Sequence, residues 1–409
     1  GMKDILPQEM ELREYLLRII KDTYESYGFV QIETPAMERL ENLLSKQGGD
    51  NEKLIFKVLK RGEKLKLGEG IREEDLTDAG LRYDLTLPLA RYYANNNAQL
   101  PSPFKALQIG NVYRADRPQK GRFRQFTQCD IDILGEGDAS AQIELILATS
   151  KALEALVPGT SFTVHINDRR ILKAMTDYAG FSPQDTEKVF IILDKLDKIH
   201  LDGVKKELEE LVSDASVVEK YLQLFEEIKS EEECTALAGR LEGFLDPAVI
   251  EELLHIMESL KPQAGCALKF DPSLVRGMGY YTGSIFEVSM EGFGGSVAGG
   301  GRYDGMIEKF TGRSVPACGF SIGFERIIAI LQDQGFRPPA SRKKIAMLYE
   351  KGISEEKFRE ILNAAQEKRR EGSIVLMTKM NKNKKFQRDN LEKEGYGEFL
   401  EYYKEALRS

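Results

Sequence analysis

Cysteine and histidine are both scarce in this chain, and neither is clustered. The four cysteines, Cys129, Cys234, Cys266 and Cys318, lie far apart in 409 residues and form no CxxC pair. That spacing argues against a disulfide framework or a zinc site and points to a reducing cytoplasm. The three histidines, His165, His200 and His255, are equally scattered, so no metal site is expected. No apolar run approaches the ~20 residues that span a bilayer, and the N-terminus lacks the charged-then-apolar pattern of a signal peptide. Internal repeats and low-complexity tracts are missing. An excess of positive charge is missing too, since the net charge of −8 does not advertise nucleic-acid binding.

What is present is the composition of a globular protein, 42% hydrophobic and 30% charged, over a length that suggests two or three domains. The charge is uneven. Residues 341–409 hold 17 Lys+Arg against 12 Asp+Glu, a net of +5, which leaves −13 for residues 1–340. A basic tail on an acidic body either touches phosphate backbones or is a solvated helical surface, and charge alone leaves both open.

Hydrophobic spacing predicts a helix over 8–27, stopped by Gly28, and then a strand in FVQIETPAME ended by Pro35. LRYDLTLPLARYYA reads as extended, turning helical after Pro88. FKALQIGNVYR and FRQFTQCDIDIL read as an antiparallel hairpin around the charged loop ADRPQKGR. From Arg169 to Pro262 the pattern changes to Leu, Lys and Glu at helical spacing, a helical insertion. Strands return at CALKFDP and YYTGSIFEV, and CGFSIGFERIIAILQDQG starts extended and ends as a helix. Beyond the linker GFRPPASRKK comes a short βαβα pattern. The expected organisation is α+β: an antiparallel sheet flanked by helices in 1–168 and 263–334, a helical insertion at 169–262, a linker at 335–342, and a small α/β domain at 343–409.

Five segments carry chemistry. In Tyr113–Gly135, arginines surround a Pro-Gly turn and run into a strand where Gln128, Asp130 and Asp132 alternate with Cys129, Ile131 and Ile133. Period-two alternation puts an amide and two carboxylates on one face. Guanidinium groups suit a polyphosphate, and carboxylates suit a cationic amine. In LRYDLT the same spacing aligns Arg82, Asp84 and Thr86, either as part of a pocket wall or as a surface salt-bridge ladder. SLVRGMGYYTG sets Arg276 among glycines before Tyr280 and Tyr281, a ligand loop or a bulged strand. GGGRYDG, with Tyr303, lacks the phosphate-loop and dinucleotide fingerprints and reads as backbone brought against a ligand, or as a flexible loop. GFSIGFERI places Arg326 where a strand becomes a helix, within reach of a phosphate.

Together these segments resemble the class II aminoacyl-tRNA synthetases, and specifically the histidyl-tRNA synthetase family. YGFVQIETPAME resembles motif 1, YRADRPQKGRFRQF with QCDID motif 2, and GFSIGFERI motif 3. LVRGMGYYTG and GGGRYDG resemble the two histidine-specific motifs. DKLDKI is similar to a segment of the family's insertion, and KDILP fits its start. The likeness runs over residues 3–332. It implies a six-stranded antiparallel catalytic sheet, a homodimer, and a ligase that joins histidine to histidine tRNA using ATP and Mg²⁺. It further implies that Arg114, Arg122 and Arg326 hold ATP, that Asp84 and Thr86 bind the substrate ammonium group, and that Gln128 and Asp132 surround the substrate. Arg276 is implied at the substrate carboxylate and α-phosphate, Tyr281 and Tyr303 in the imidazole pocket, and Gln119 near the tRNA acceptor end. Two departures stand out. Gly279 occupies the acidic position of the usual RGLDYY, and residues 343–409 are too few for the family's full anticodon-binding domain. They keep an alternative open, a non-charging paralogue that senses histidine as regulatory subunit of ATP phosphoribosyltransferase and would partner its catalytic subunit.

Overall fold

The computed structural model describes residues 1–44, 53–117, 123–229, 234–261, 265–275, 280–339 and 342–404. Helix α1 (Pro7–Ser26) is followed by β1 (Val30–Ile32), β2 (Met37–Arg39), α2 (Leu40–Leu43), β3 (Lys57–Leu59), α3 (Glu73–Leu76), β4 (Thr77–Leu81) and α4 (Thr86–Asn96). Next come β5 (Phe104–Tyr113), β6 (Gln125–Leu134), α5 (Ser140–Leu156) and β7 (Phe162–Asp168). A helical stretch holds α6 (Arg169–Ala179), α7 (Thr186–Leu193), α8 (Leu196–Leu211), α9 (Ala215–Lys229), α10 (Thr235–Arg240) and α11 (Pro247–Leu260). The chain continues with β8 (Ala267–Phe270), β9 (Ser284–Met290), β10 (Ser296–Arg302), α12 (Asp304–Thr311), β11 (Ala317–Ile322) and α13 (Phe324–Asp333). It finishes with β12 (Lys344–Tyr349), α14 (Glu355–Arg370), β13 (Ile374–Lys379), α15 (Lys384–Lys393) and β14 (Glu398–Tyr402). These elements form two compact units, one of Gly1–Asp4 with Leu16–Gly335, the other of Ile5–Tyr15 with Phe336–Ser409.

The first unit is built on an eight-stranded sheet in the order β1-β5-β6-β11-β10-β9-β7-β8. All neighbours from β5 to β7 are antiparallel, and β1 and β8 add parallel strands at the two edges. The expected six-stranded antiparallel sheet is therefore present, with one parallel strand on each side. The β5–β6 hairpin holds one register from Phe104 opposite Leu134 to Tyr113 opposite Gln125, as strict alternation demands. Cys129, Ile131 and Ile133 are at most 1% exposed on one face of β6, and α5 lies across β6, β10 and β11. The helices start and stop on local signals. Asp168 caps the Arg170 amide of α6, Gly180 ends it at φ 100°, and Asp246 with Pro247 opens α11.

The glycine run Gly299–Gly301 is part of strand β10, not a loop. Glycine carries no side chain from which a period of two can be read, so the pattern hid the strand. Close packing requires it: a Cβ on Gly300 would lie 2.0 Å from the Gly319 carbonyl oxygen.

In the second unit β12 lies between β13 and β14, and both pairings are parallel. Ile345 and Met347 pack with Ile361 and Ala365 of α14, while Ala346 and Leu348 pack with Leu391 of α15. One helix thus covers each face, the arrangement parallel strands need. The third strand, β14, extends the βαβα pattern anticipated for this segment. Among the described residues no helix is long and apolar enough to cross a membrane.

Candidate active site

A cavity of about 290 Å³ opens over the middle of the large sheet. Its floor is β6, whose alternation aims Gln128, Asp130 and Asp132 into the space. Asp132 stands opposite Gly319 and Asp130 opposite Ser321 on β11. A Cβ on Gly319 would come within 2.0 Å of Asp132 Oδ1, so the bare strand makes room for the carboxylate.

Asp84 and Thr86 enter from the side, by a route the sequence pattern misdescribed. LRYDLT is not one strand: β4 ends at Leu81 and α4 begins at Thr86, two residues ahead of Pro88. Pro88 sits in the first turn, where its missing N–H costs nothing. Asp84 Oδ1 accepts from the Leu87 amide at 3.1 Å, tying the carboxylate to the start of the helix. Arg82 does not share its face. The Arg82 guanidinium is 5% exposed and donates to the Thr34 carbonyl, to Thr34 Oγ1 at 3.1 Å and to the Asn111 carbonyl at 2.9 Å. It fastens backbone instead of lining the cavity.

The three carboxylates are 2–5% exposed. Each keeps one oxygen without a hydrogen-bond donor among the described residues: Asp84 Oδ2, Asp130 Oδ1 and Asp132 Oδ2. Gln128 Oε1 is a fourth such acceptor. Buried polar atoms are rarely left unpaired, because each forfeits its water for nothing. Four acceptors in one cavity therefore call for a ligand rich in N–H donors. Burial drives all three acids upward, Asp84 to about 6, Asp132 to about 7 and Asp130 well above its ordinary value. The Leu87 amide and Arg114 oppose the rise at Asp84, the Tyr303 hydroxyl opposes it at Asp132, and the neighbouring Asp132 charge adds to it at Asp130.

Guanidinium groups supply the opposite charge. Arg114 donates from Nε to the Tyr83 carbonyl at 2.9 Å and lies 5.1 Å from the Phe126 ring centre. Arg326, in the first turn of α13, donates to the Ser296 carbonyl and to Ser296 Oγ at 2.9 Å. Both line the cavity. Tyr303 is 2% exposed and donates to Asp132 Oδ1 at 2.6 Å, while Tyr280 and Tyr281 pack with ring centres 4.8 Å apart.

Of the residues singled out from sequence, Asp84, Thr86, Arg114, Gln128, Asp132, Tyr281, Tyr303 and Arg326 line this one cavity. Gln119, Arg122, Arg276 and Gly279 lie outside the described residues. Asp130, Tyr280, Ser321 and Glu325 also line it; the resemblance implies no individual role for them. The period of two already placed Asp130 beside its neighbours. Ser321 and Glu325 carry no signal apart from their place beside Arg326.

Known proteins resemble this chain in sequence and in fold. Residues 1–327 match the family model described as Histidyl-tRNA synthetase. A histidine--tRNA ligase of Leifsonia xyli subsp. xyli is 46% identical over 345 residues, covering 81% of this chain and 79% of that protein. A probable histidine--tRNA ligase of Tropheryma whipplei is 40% identical over 411 residues, covering 98% of this chain and 94% of the relative. The crystal structure of histidyl-tRNA synthetase from a Nostoc species superposes with a TM-score of 0.76 at 28% identity, over 96% of this chain and 88% of that one. With a family model matched over residues 1–327 and relatives 40–46% identical over most of its length, the chain belongs to the histidyl-tRNA synthetase family.

Proposed function

We propose that this protein activates histidine with ATP and transfers it to the 3′ end of histidine tRNA. The observation that carries the reading is the set of donor-seeking oxygens on Asp84, Gln128 and Asp132 in the same cavity as the guanidiniums of Arg114 and Arg326. An ammonium group brings three N–H donors, which match Asp84 Oδ2, Gln128 Oε1 and the Thr86 hydroxyl. A neutral imidazole brings one, which matches Asp132 Oδ2, with Tyr303 holding that carboxylate in place and Tyr281 beside it.

The first step joins two anions. A carboxylate oxygen of histidine attacks the α-phosphorus of ATP, the bond to the bridging oxygen breaks, and pyrophosphate leaves with the electron pair. No proton need move, so the protein's task is alignment and charge cancellation. Arginine suits it, because its planar fork grips phosphate with two parallel donors. Arg114 and Arg326 take the phosphates in this reading, joined by Arg122 at the triphosphate and Arg276 between carboxylate and α-phosphate. Mg²⁺ would arrive on the nucleotide as part of the substrate, and Asp116 and Glu325, the two lining carboxylates outside the Asp84–Asp130–Asp132 group, would suit its preference for oxygen.

For the second substrate we place Gln119 at the acceptor end. The second unit offers a further contact. Lys384, Lys385 and Arg388 crowd α15 around Phe386, which is 60% exposed, and Lys384 lies 4.4 Å over the Tyr403 ring. Cations interleaved with an open aromatic ring suit single-stranded RNA. The homodimer implied by the family belongs to the same proposal. The histidine-sensing alternative is not favoured, because the curated relatives are named as ligases.

The test is amino-acid-dependent exchange of pyrophosphate into ATP, run across all twenty amino acids, followed by charging of transcribed histidine tRNA. Histidine alone is expected to support exchange. Histidine binding without exchange would overturn the proposal in favour of the sensor.

A further inference from the structure

The proposed ligand leaves one acceptor over. Ammonium and imidazole together offer four donors, and Asp84, Thr86, Gln128 and Asp132 use all four. Asp130 Oδ1 remains, 5% exposed at the residue level and without a donor among the described residues. A second oxygen in the same condition lies across the hairpin. Gln108 stands directly opposite Asp130 in the β5–β6 pair and is 2% exposed, and its Oε1 is also without a donor. The orientation of that amide is set by its other end, where Nε2 donates to the Leu85 carbonyl at 3.1 Å. Two acceptor oxygens on directly opposed residues repel each other unless a proton lies between them, and opposed side chains on one sheet face stand about 5 Å apart at Cβ, within reach of such a bond.

We propose that Asp130 is held as the neutral acid, donating its proton to the amide oxygen of Gln108, and that this bond positions the ammonium subsite. The route is short. Asp130 fixes Gln108, Gln108 fixes the Leu85 carbonyl, and Leu85 lies between Asp84 and Thr86. On its other side the Asp130 carboxyl meets the Ser321 hydroxyl and, at 3.5 Å, Gln128 Nε2. Both donors are satisfied by the carbonyl oxygen of an undissociated acid. The surrounding charges agree. Burial first, then Asp132 on the same strand and Asp84 ahead of α4, disfavour a third negative charge, and they outweigh the Arg114 guanidinium beyond β5; Arg82, clamped to backbone, pulls the other way. Asp130 is thus a positioning residue, and this role rests on reading the cavity as a histidine site.

The experiment compares Asp130→Ala with Asp130→Asn in histidine-dependent pyrophosphate exchange. Alanine strands the Gln108 oxygen, and the KM for histidine is expected to rise about tenfold while the KM for ATP holds. Asparagine keeps a carbonyl oxygen and an N–H donor in the two positions and is expected to restore the histidine KM to within about threefold of the parent. Infrared spectra at pH 8 should show the carbonyl stretch of a buried undissociated acid in the parent protein and its loss in Asp130→Asn. An asparagine variant as impaired as alanine, or a parent spectrum without that band, overturns the inference. Failure of the parent protein to exchange with histidine would instead sink the functional reading, and the infrared arm would still decide the protonation state.

Discussion

In β12, Ile345, Ala346, Met347 and Leu348 are each at most 1% exposed, and each packs on apolar side chains of α14 or α15. In β6 the run from Cys129 to Ile133 is at most 5% exposed, yet its two alternate residues, Asp130 and Asp132, are acids with an oxygen lacking a donor among the described residues. Both strands are central and covered on both faces. One uses burial to hold its unit together, and the other uses it to hold charge away from water. A buried carboxylate without a partner destabilises a fold, so the large sheet carries a cost that the small sheet does not. That cost is recovered when a cation arrives, and for that reason it lies where a ligand binds.

The widest separation between the two strands should appear on removing a charge at the cavity. Asp84→Asn is expected to lower kcat/KM for histidine in the exchange assay by about 100-fold, roughly 3 kcal/mol, because an ammonium group then meets a neutral partner. A loss smaller than threefold would mean the cavity does not use that charge. The counterpart in the small sheet is Met347→Ala. It should destabilise the second unit by about 3 kcal/mol in denaturant unfolding while leaving the histidine KM alone. If the KM shifted with stability, the proposed division of labour between the strands would fail.

The finest test works within β6. Asp132 is raised from an ordinary 3.8 to about 7, chiefly by burial. With the folded value raised, the stability from its neutral form is fully present below about pH 4 and is lost as pH climbs through about 7. Asp132→Asn removes that loss. The ligand-free variant should match the parent's Tm at pH 4 and exceed it by about 3 °C at pH 8. Equal gains at both pH values would show that ionisation is not the cause.

Alternation made β6 legible, because a period of two survives whatever the neighbouring strands do, and the strand–helix junction at Arg326 was equally plain. The Arg82–Asp84–Thr86 set was misplaced for the converse reason. Spacing of two appears in any extended segment, and only the Leu87 amide on Asp84 shows that the segment is a helix entry. Arg82 reads from sequence as part of a pocket wall or of a surface ladder, since nothing local reveals that its partners are the carbonyls of Thr34 and Asn111. β10 was hidden because glycine hides its own pattern, and β14 because all five of its residues are half-buried and none stands out. Alternation puts Asp130 on the cavity face as well, but no periodicity reveals that Gln108 stands opposite it on another strand.

The crossing of Gly300 and Gly319 also bears on how this enzyme can drift. With a carbonyl oxygen 2.0 Å from where a methyl group on Gly300 would stand, and the Asp132 carboxylate 2.0 Å from one on Gly319, alanine at Gly300 moves main chain and alanine at Gly319 displaces a carboxylate of the pocket. Selection for an altered amino acid preference would therefore find the bottom of the pocket hard to change. Variation would accumulate on its walls, at Thr86, Tyr280 and Tyr281, where side chains can be exchanged without rebuilding a strand.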